Sequence, residues 1–344
     1  MLADIDVYFK NDELKANGLV DAIANAGCRF LKGAILARAE LCTPSDEKIT
    51  YYNAATGHTV EEAYHDIIAR HLVPLDVLSR VFSRGRSLGL LPILSVYDEQ
   101  GISFALSQGA AALKIPSSNV VHAPLIRSAA QTGLPLLLDT GRSTLAEIDR
   151  AVSWIKQAVG NAKFIVEHSP PGPPAGAEKF HMRMLPFLAE RFACPVGLSD
   201  HAIGFDMLPV AVALGASIVE KGLVDDDASP DIDVAHAMPK RDLWRAVTLC
   251  NTAWQALGTG PRPELELPKR SVDRMGLVAL KDLKPGDRVD LTNVGFAFPP
   301  LGIPVEHWDT VKDQVVQSVV AAGTPLYWEL LGLEKSKGAS RPAP

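Results

Sequence analysis

Three consecutive polar residues, Ser199-Asp200-His201, end a short apolar run within Val196–Gly204. A second run, opening at Gly215, ends in Glu220-Lys221. Hydroxyl, carboxylate, imidazole and ammonium groups delivered by neighbouring runs can bind phosphate, hold a metal ion or orient a polar substrate. A helix-like segment separates the two runs. Consecutive strands that present reactive side chains at their C-terminal ends are how a (β/α)8 barrel assembles an active site. Other apolar runs carry comparable groups: Lys32 ends the second, Ser95 the third, Lys114 lies in the fourth and Ser117 follows it. Ammonium and hydroxyl donors converging on one mouth suit an anion. Taken singly, any one of them reads as a solvated loop residue.

The elements that must position these groups can be counted. Eight apolar runs, each suited to a strand covered on both faces, span Ala3–Val7, Arg29–Ala34, Leu91–Val96, Ala112–Ile115, Leu134–Leu138, Phe164–Glu167, Pro195–Leu198 and Ser217–Glu220. Between them lie segments with helical spacing. Asn11–Ala26 places Leu14, Leu19 and Ile23 on one face, Ser143 or Thr144 caps a helix ahead of Glu147, and Glu178–Phe192 and Arg241–Ala256 read as further helices. Strand–helix alternation repeated eight times predicts an α/β fold, a (β/α)8 TIM barrel rather than a doubly wound sheet. The long second connection, residues 42–75, is expected as an insertion over the C-terminal mouth.

After about residue 260 the pattern changes. Thr259-Gly-Pro-Arg-Pro263 reads as a linker. Short extended pieces and tight turns follow, at Gly276–Leu280, Lys284-Pro-Gly-Asp287, Arg288–Leu291 and Ala322–Trp328. The expected organisation is a barrel at 1–260, a linker at 261–272, a small turn-rich domain at 273–335 and a disordered tail at 336–344.

With 344 residues, 47% hydrophobic and 22% charged, the chain suits a large soluble domain plus a small one. A net charge of −6 argues against a nucleic-acid partner. No run has transmembrane length, and Met-Leu-Ala-Asp-Ile-Asp6 carries acids where a signal peptide carries bases, so no membrane partner and a cytoplasmic location are expected. Cys28, Cys42, Cys194 and Cys250 lack metal-site spacing and read as plain thiols.

Five segments, in order and spacing, resemble the sialic acid (N-acetylneuraminate) synthase family, a TIM barrel followed by an antifreeze-like (SAF) domain. They are Leu113-Lys-Ile-Pro-Ser-Ser118, Gly197-Leu-Ser-Asp-His201, Ala213–Lys221, Leu277–Gly286 and Ala322–Glu329. The resemblance implies an enzyme condensing phosphoenolpyruvate with an N-acetylated, mannosamine-type amino sugar to a nine-carbon 2-keto sugar acid, a transferase of carbohydrate biosynthesis. It implies a divalent metal, Mn2+ or Mg2+, held by two histidines, and a domain-swapped homodimer. By resemblance Lys32, Ser95, Lys114, Ser117 and Ser199 fall where the family binds phosphate and carboxylate, Asp231 where it contacts the amino sugar, and His201 at the first metal histidine.

Several positions depart from that pattern. Gly222 stands where the second histidine is expected, with Glu167, Asp225, Asp226 and Asp227 as acidic substitutes and a metal-free, hydrogen-bonded His201 as the competing reading. Asn119 replaces a carboxylate assigned to acid/base work, and Ala34 or a neighbour replaces a glutamine. Asp139 replaces a serine, Glu167-His-Ser-Pro-Pro-Gly-Pro-Pro174 replaces a His-Cys segment, and Phe298-Pro-Pro300 replaces an Arg-Pro-Gly segment. These changes leave two other readings open. One is a barrel enzyme of changed reaction, lyase- or aldolase-like, using Asp139, Glu167 and His168. The other is an inactive paralogue that binds a sugar acid or pairs with an active synthase.

Overall fold

The computed structural model describes residues 1–6, 8–45, 47–53, 57–170, 175–225, 234–260 and 273–334. The chain divides into two compact units, Met1–Thr259 and Gly260–Pro344.

The first unit is a closed parallel barrel. Its strands are β1 (Leu2–Asp4), β2 (Phe30–Ala34), β5 (Leu91–Ser95), β6 (Ala112–Ile115), β7 (Leu136–Asp139), β8 (Phe164–His168), β9 (Val196–Asp200) and β10 (Ile218–Val224), and β10 pairs back onto β1. Between β2 and β5 lie β3 (Lys48–Asn53) and β4 (His58–Ala63), an antiparallel hairpin, and the helix α2 (Tyr64–His71). These belong to the expected 42–75 insertion. The helices α1 (Glu13–Asn25), α3 (Leu75–Ser87), α4 (Glu99–Ser107), α5 (Ala123–Gln131), α6 (Leu145–Ala158), α7 (Met184–Phe192), α8 (Met207–Ala213) and α9 (Leu243–Leu257) alternate with the strands. Asp12 caps α1 and Asp98 caps α4 through side-chain oxygens, and Thr144 with Glu147 forms a full capping box on α6. The main core lies between helices and strands, from Ile5 and Leu19 through Phe82 and Leu113 to Leu208 and Ala246.

Strand β1 lies at Leu2–Asp4 rather than Ala3–Val7, and two further elements differ for visible reasons. Helix α7 begins at Met184 rather than Glu178, because His181 takes a left-handed φ of 44° between the 3-10 turn Ala177–Lys179 and the helix. Strand β10 runs on to Val224, because β11 (Met238–Pro239) returns alongside it and pairs Leu223 with Met238 and Val224 with Pro239.

Strand register determines which side chains meet at the mouth. Asp4 is level with Lys32, but Lys32 pairs with Ile93, two residues short of Ser95; Ser95 is level with Lys114, which pairs with Leu137, two short of Asp139. The same step recurs from Glu167 to Ser199 and from Glu220 to Asp4. A ring offset by two at every second junction is the stagger of an eight-stranded barrel with shear eight. Because inward side chains alternate along a strand, three flat tiers follow. The lowest is apolar and includes Leu2, Phe30, Ile93, Ala112, Leu137, Ile165 and Ile218. Two residues further along each strand stand Asp4, Lys32, Ser95, Lys114, Asp139, Glu167, Ser199 and Glu220; two further still most strands have given way to loops, while β2 is at its end and β10 continues.

The second unit has its own core of Leu277, Val294, Ile303, Val316, Leu326 and Trp328, among others. It is built on the antiparallel pair β12 (Gly276–Ala279) and β13 (Val294–Ala297) and on short bridges. Gly302, at φ 71°, meets the Leu326 backbone where any β-carbon would overlap the carbonyl, so glycine is required there.

Candidate active site

The middle tier is buried throughout; none of its eight side-chain-bearing residues exceeds 4% exposure. Four carboxylates face two ammonium groups. Lys114 Nζ donates to Glu220 Oε1 at 2.5 Å and lies 3.1 Å from Asp139, 3.2 Å from Glu167 and 3.3 Å from Ser199 Oγ. Lys32 Nζ donates to Asp4 at 2.6 Å and lies 3.8 Å from Glu220. Burial opposes the charge on Lys114, but Glu167, Glu220 and Asp139 outweigh it and hold its proton above the usual lysine range. The acids divide. Burial also opposes the charge of Asp139 and Glu220, yet Lys114 keeps both below their ordinary values. Burial pushes Glu167 up to about 8 and Asp4 up to about 7, despite the nearby lysines. Among the described residues, the Glu167 carboxyl has the Lys114 ammonium, at 3.2 Å, as its one charged partner.

Above this floor opens a cavity of about 750 Å³, ordinary for a small-molecule site. Its lower wall is the third tier: Asp6, Ala34, Tyr97, Ser117, Gly141, Ser169 and His201. Each follows a middle-tier residue of its own strand by two positions, or by three at Ser117. Ser117 and Ser169 crowd Gly141, where an added β-carbon would lie 3.2 Å from each hydroxyl oxygen. The loop after β7 adds Arg142 and Ser143. The insertion supplies an apolar and aromatic upper wall that includes Ile49, Tyr51, Tyr64, Ile67 and Ile68.

His201 is held by its neighbours. Asp200 accepts from the Ala202 amide at 2.8 Å, and Lys221 Nζ donates to the Ala202 carbonyl at 2.6 Å while lying 3.3 Å from Asp200. His201 Nδ1 lies 3.4 Å from Ser169 Oγ. Burial lowers its pKa to about 4, so the imidazole is neutral at physiological pH. Beside it stands a second imidazole, His236, with ring centroids 4.6 Å apart. His236 is 4% exposed, its Nδ1 has no hydrogen-bond partner among the described residues, and burial holds it well below the ordinary histidine range.

The expected site residues therefore fall into two levels. Lys32, Ser95, Lys114 and Ser199 converge in the buried floor, while Ser117 and His201 reach the cavity wall. Asp231, Asp226 and Asp227 lie outside the described residues. Asp225 pairs with Lys240 at 2.9 Å. Asn119 sits in the 3-10 turn Ser117–Asn119 with its Nδ2 buried and without a hydrogen-bond partner among the described residues. Phe298 is 61% exposed in the second unit. Sequence reading missed Asp4, Arg142 and His236; counting two residues beyond the apolar tier locates Asp4, but nothing comparable points to the other two.

For a divalent cation, the fitting donors are the imidazoles of His201 and His236. Among the described residues no third His, Cys, Asp or Glu completes a cluster with them. Two imidazoles with the remaining positions left to water or substrate oxygens suit manganese-type ions.

Comparison with known proteins bears on what such a site is for. Residues 19–262 match the model of the NeuB family, and residues 274–332 match the SAF domain. The N,N'-diacetyllegionaminic acid synthase of Legionella pneumophila is 28% identical over 338 residues, covering 96% of this chain and 93% of that protein. The pseudaminic acid synthase of Helicobacter pylori is 25% identical over 329 residues, covering 95% and 96%. The solved N-acetylneuraminic acid synthetase of Leptospira borgpetersenii, in complex with citrate, superposes with a TM-score of 0.67 at 21% identity, over 78% of this chain and 88% of that one, a likeness of fold. Among the described residues no helix is long and apolar enough to cross a membrane.

Proposed function

The chain belongs to the NeuB family, and from that premise we propose that it is a sugar-acid synthase condensing phosphoenolpyruvate with an N-acylated amino sugar. The observation that carries this reading is a cavity whose hydroxyl-bearing lower wall stands over an ionic floor at the C-terminal end of the barrel, where such barrels do their chemistry. In this reading Arg142 and the hydroxyls of Ser117 and Ser143 meet the phosphate or carboxylate of phosphoenolpyruvate. Lys32 and Lys114, with Ser95 and Ser199, lie one tier beneath and set the potential of the floor. The aromatic and aliphatic upper wall receives the sugar's C–H face and acyl methyl, and Asp231 orients its hydroxyls. Mn2+ or Mg2+ at His201 supplies Lewis acidity toward the acceptor's aldehyde oxygen. A domain-swapped homodimer, with the SAF domain of one subunit over the other's barrel, completes the reading.

One observation favours a second reading, a changed carbon–carbon bond reaction. Asp139 and Glu220 already neutralise Lys114, which leaves that lysine less to offer a phosphate. The two readings separate in one assay. Incubation with phosphoenolpyruvate, Mn2+ and a panel of N-acetylated and di-N-acetylated hexosamines is expected to release phosphate with at least one acceptor. No phosphate from any acceptor, together with pyruvate release from a nine-carbon 2-keto acid, would establish the second reading instead.

A further inference from the structure

The third tier has eight places, one per strand, and seven are accounted for by Asp6, Ala34, Tyr97, the Pro116–Ser117 step, Gly141, Ser169 and His201. The eighth is Gly222, two residues beyond Glu220 and next to His201 in the ring, because β9 and β10 pair Ser199 with Glu220 and Asp200 with Lys221. A glycine leaves this place without a side chain, yet the space is not open. A β-carbon on Gly222 would lie 3.1 Å from the Tyr8 ring and hydroxyl and 3.3 Å from the Ala237 β-carbon. The pairing of Leu223 with Met238 brings the returning chain alongside, so that Ala237 abuts Gly222 and the 3-10 turn Val234–His236 delivers His236 to the mouth. The space beside Gly222 is thus taken by Tyr8 and Ala237, and the same returning chain sets the His236 imidazole against His201.

We infer that His236, carried in by the chain that packs on Gly222, forms with His201 a two-imidazole clamp for a divalent transition-metal ion. Three features support it. The two rings stand 4.6 Å apart, within reach of one ion. His236 is buried with an unpartnered Nδ1, an atom that a purely structural histidine would place against a donor or acceptor. Asp200, Lys221 and the Ala202 backbone hold the loop that carries His201, the kind of outer support that metal ligands receive. The inference deepens the proposed function by naming its metal ligand pair, and it rests on that reading only for the identity of the reaction.

The test uses the full chain without substrate. Mn2+ is titrated by electron paramagnetic resonance against wild type, His201→Ala, His236→Ala and His236→Gln, with Tm recorded for each. Wild type is expected to bind one Mn2+, and each variant to bind it at least about tenfold more weakly, judging from changes around metal sites. His236→Gln nearly preserves side-chain volume and guards against a variant that merely unfolds. Cu2+ loaded into the same site gives an independent readout: nitrogen superhyperfine structure from two imidazoles in wild type and from one in His236→Gln. Wild-type Mn2+ affinity in folded His236→Gln, an unchanged nitrogen count, or no Mn2+ binding by wild type overturns the inference. The clamp stands if metal binding follows His236 while the phosphate-release assay fails. It falls alone if the enzyme is active and its metal ignores position 236.

Discussion

Lys114 and Arg142 are both cations at the mouth of one barrel, and they are held in opposite ways. Lys114 is buried on a central strand with three carboxylates within 3.2 Å. Arg142 is exposed on the loop after β7, at a left-handed φ of 56°, and makes no ion pair or hydrogen bond with the described residues. The floor's charges satisfy one another, whereas the wall's cation faces the cavity and solvent. A lysine at a strand end is thus not a ligand group by position alone; what counts is which partners its tier has already given it.

The sharpest way to break this contrast is to remove each cation. Lys114→Met leaves Asp139, Glu167 and Glu220 buried around an apolar chain. Removing one partner of a buried ion pair costs about 3–5 kcal/mol, which for a barrel of this size lowers Tm by roughly 10 °C. Arg142→Met, on an exposed loop, is expected to change stability by no more than about 0.5 kcal/mol. Thermal melts of the two variants check this. Equal destabilisation would mean that Arg142 is a structural cation too, and equal tolerance would mean that the floor's pairing contributes little.

A second measurement asks how the floor tolerates its surplus of acid. Glu167 has a folded pKa of about 8, above its ordinary 4.5. The folded state therefore holds a proton that the unfolded chain has already released, and stability falls as pH rises from about 4.5 to about 8. Asp4, raised to about 7, acts in the same direction over a lower window. Asp139 and Glu220, whose pKa values are lowered, act in the opposite sense and only in acid. Glu167→Gln is expected to gain Tm relative to wild type progressively between pH 5 and 8.5. A difference that stays constant with pH would show that Glu167 is ionised in the fold throughout.

The same contrast explains what could be read from the sequence. The eight strands, and with them the placing of Lys32, Ser95, Lys114 and Ser199 in one ring, follow from apolar runs whose inward faces recur at every second residue. Asp139 and Glu167 stand out only against the family resemblance, as polar groups that depart from its pattern. Asp4 escaped because the first run was set at Ala3–Val7, whereas the strand is Leu2–Asp4. The wall is different. His236 comes beside His201 only because Met238 and Pro239 return to pair with β10, and a two-residue strand leaves no periodicity to detect. The acidic substitutes that the sequence offers for the histidine missing at Gly222 are Glu167 and Asp225 to Asp227. The structure supplies an imidazole fourteen residues further on. Arg142 sits where loop geometry, not strand register, decides direction.

The smallest expected effect is the most specific. If the wall rather than the floor meets the anion, Arg142→Gln should weaken phosphoenolpyruvate binding about tenfold, or about 1.4 kcal/mol, the order expected of one charge-assisted contact at a partly exposed site. Calorimetric titration of wild type and Arg142→Gln measures this directly, with the melts above showing that the fold is intact. The neutral amino sugar serves as a control. Its affinity should not move, because the apolar upper wall of Ile49, Tyr51, Tyr64 and Ile67 does not depend on Arg142 for charge. Affinity for phosphoenolpyruvate that survives at position 142 would return the anion to the floor. Lys114 would then have to exchange one of its three carboxylates for the ligand, and protonated Glu167 is the member of that set that gives up its place with the least electrostatic loss.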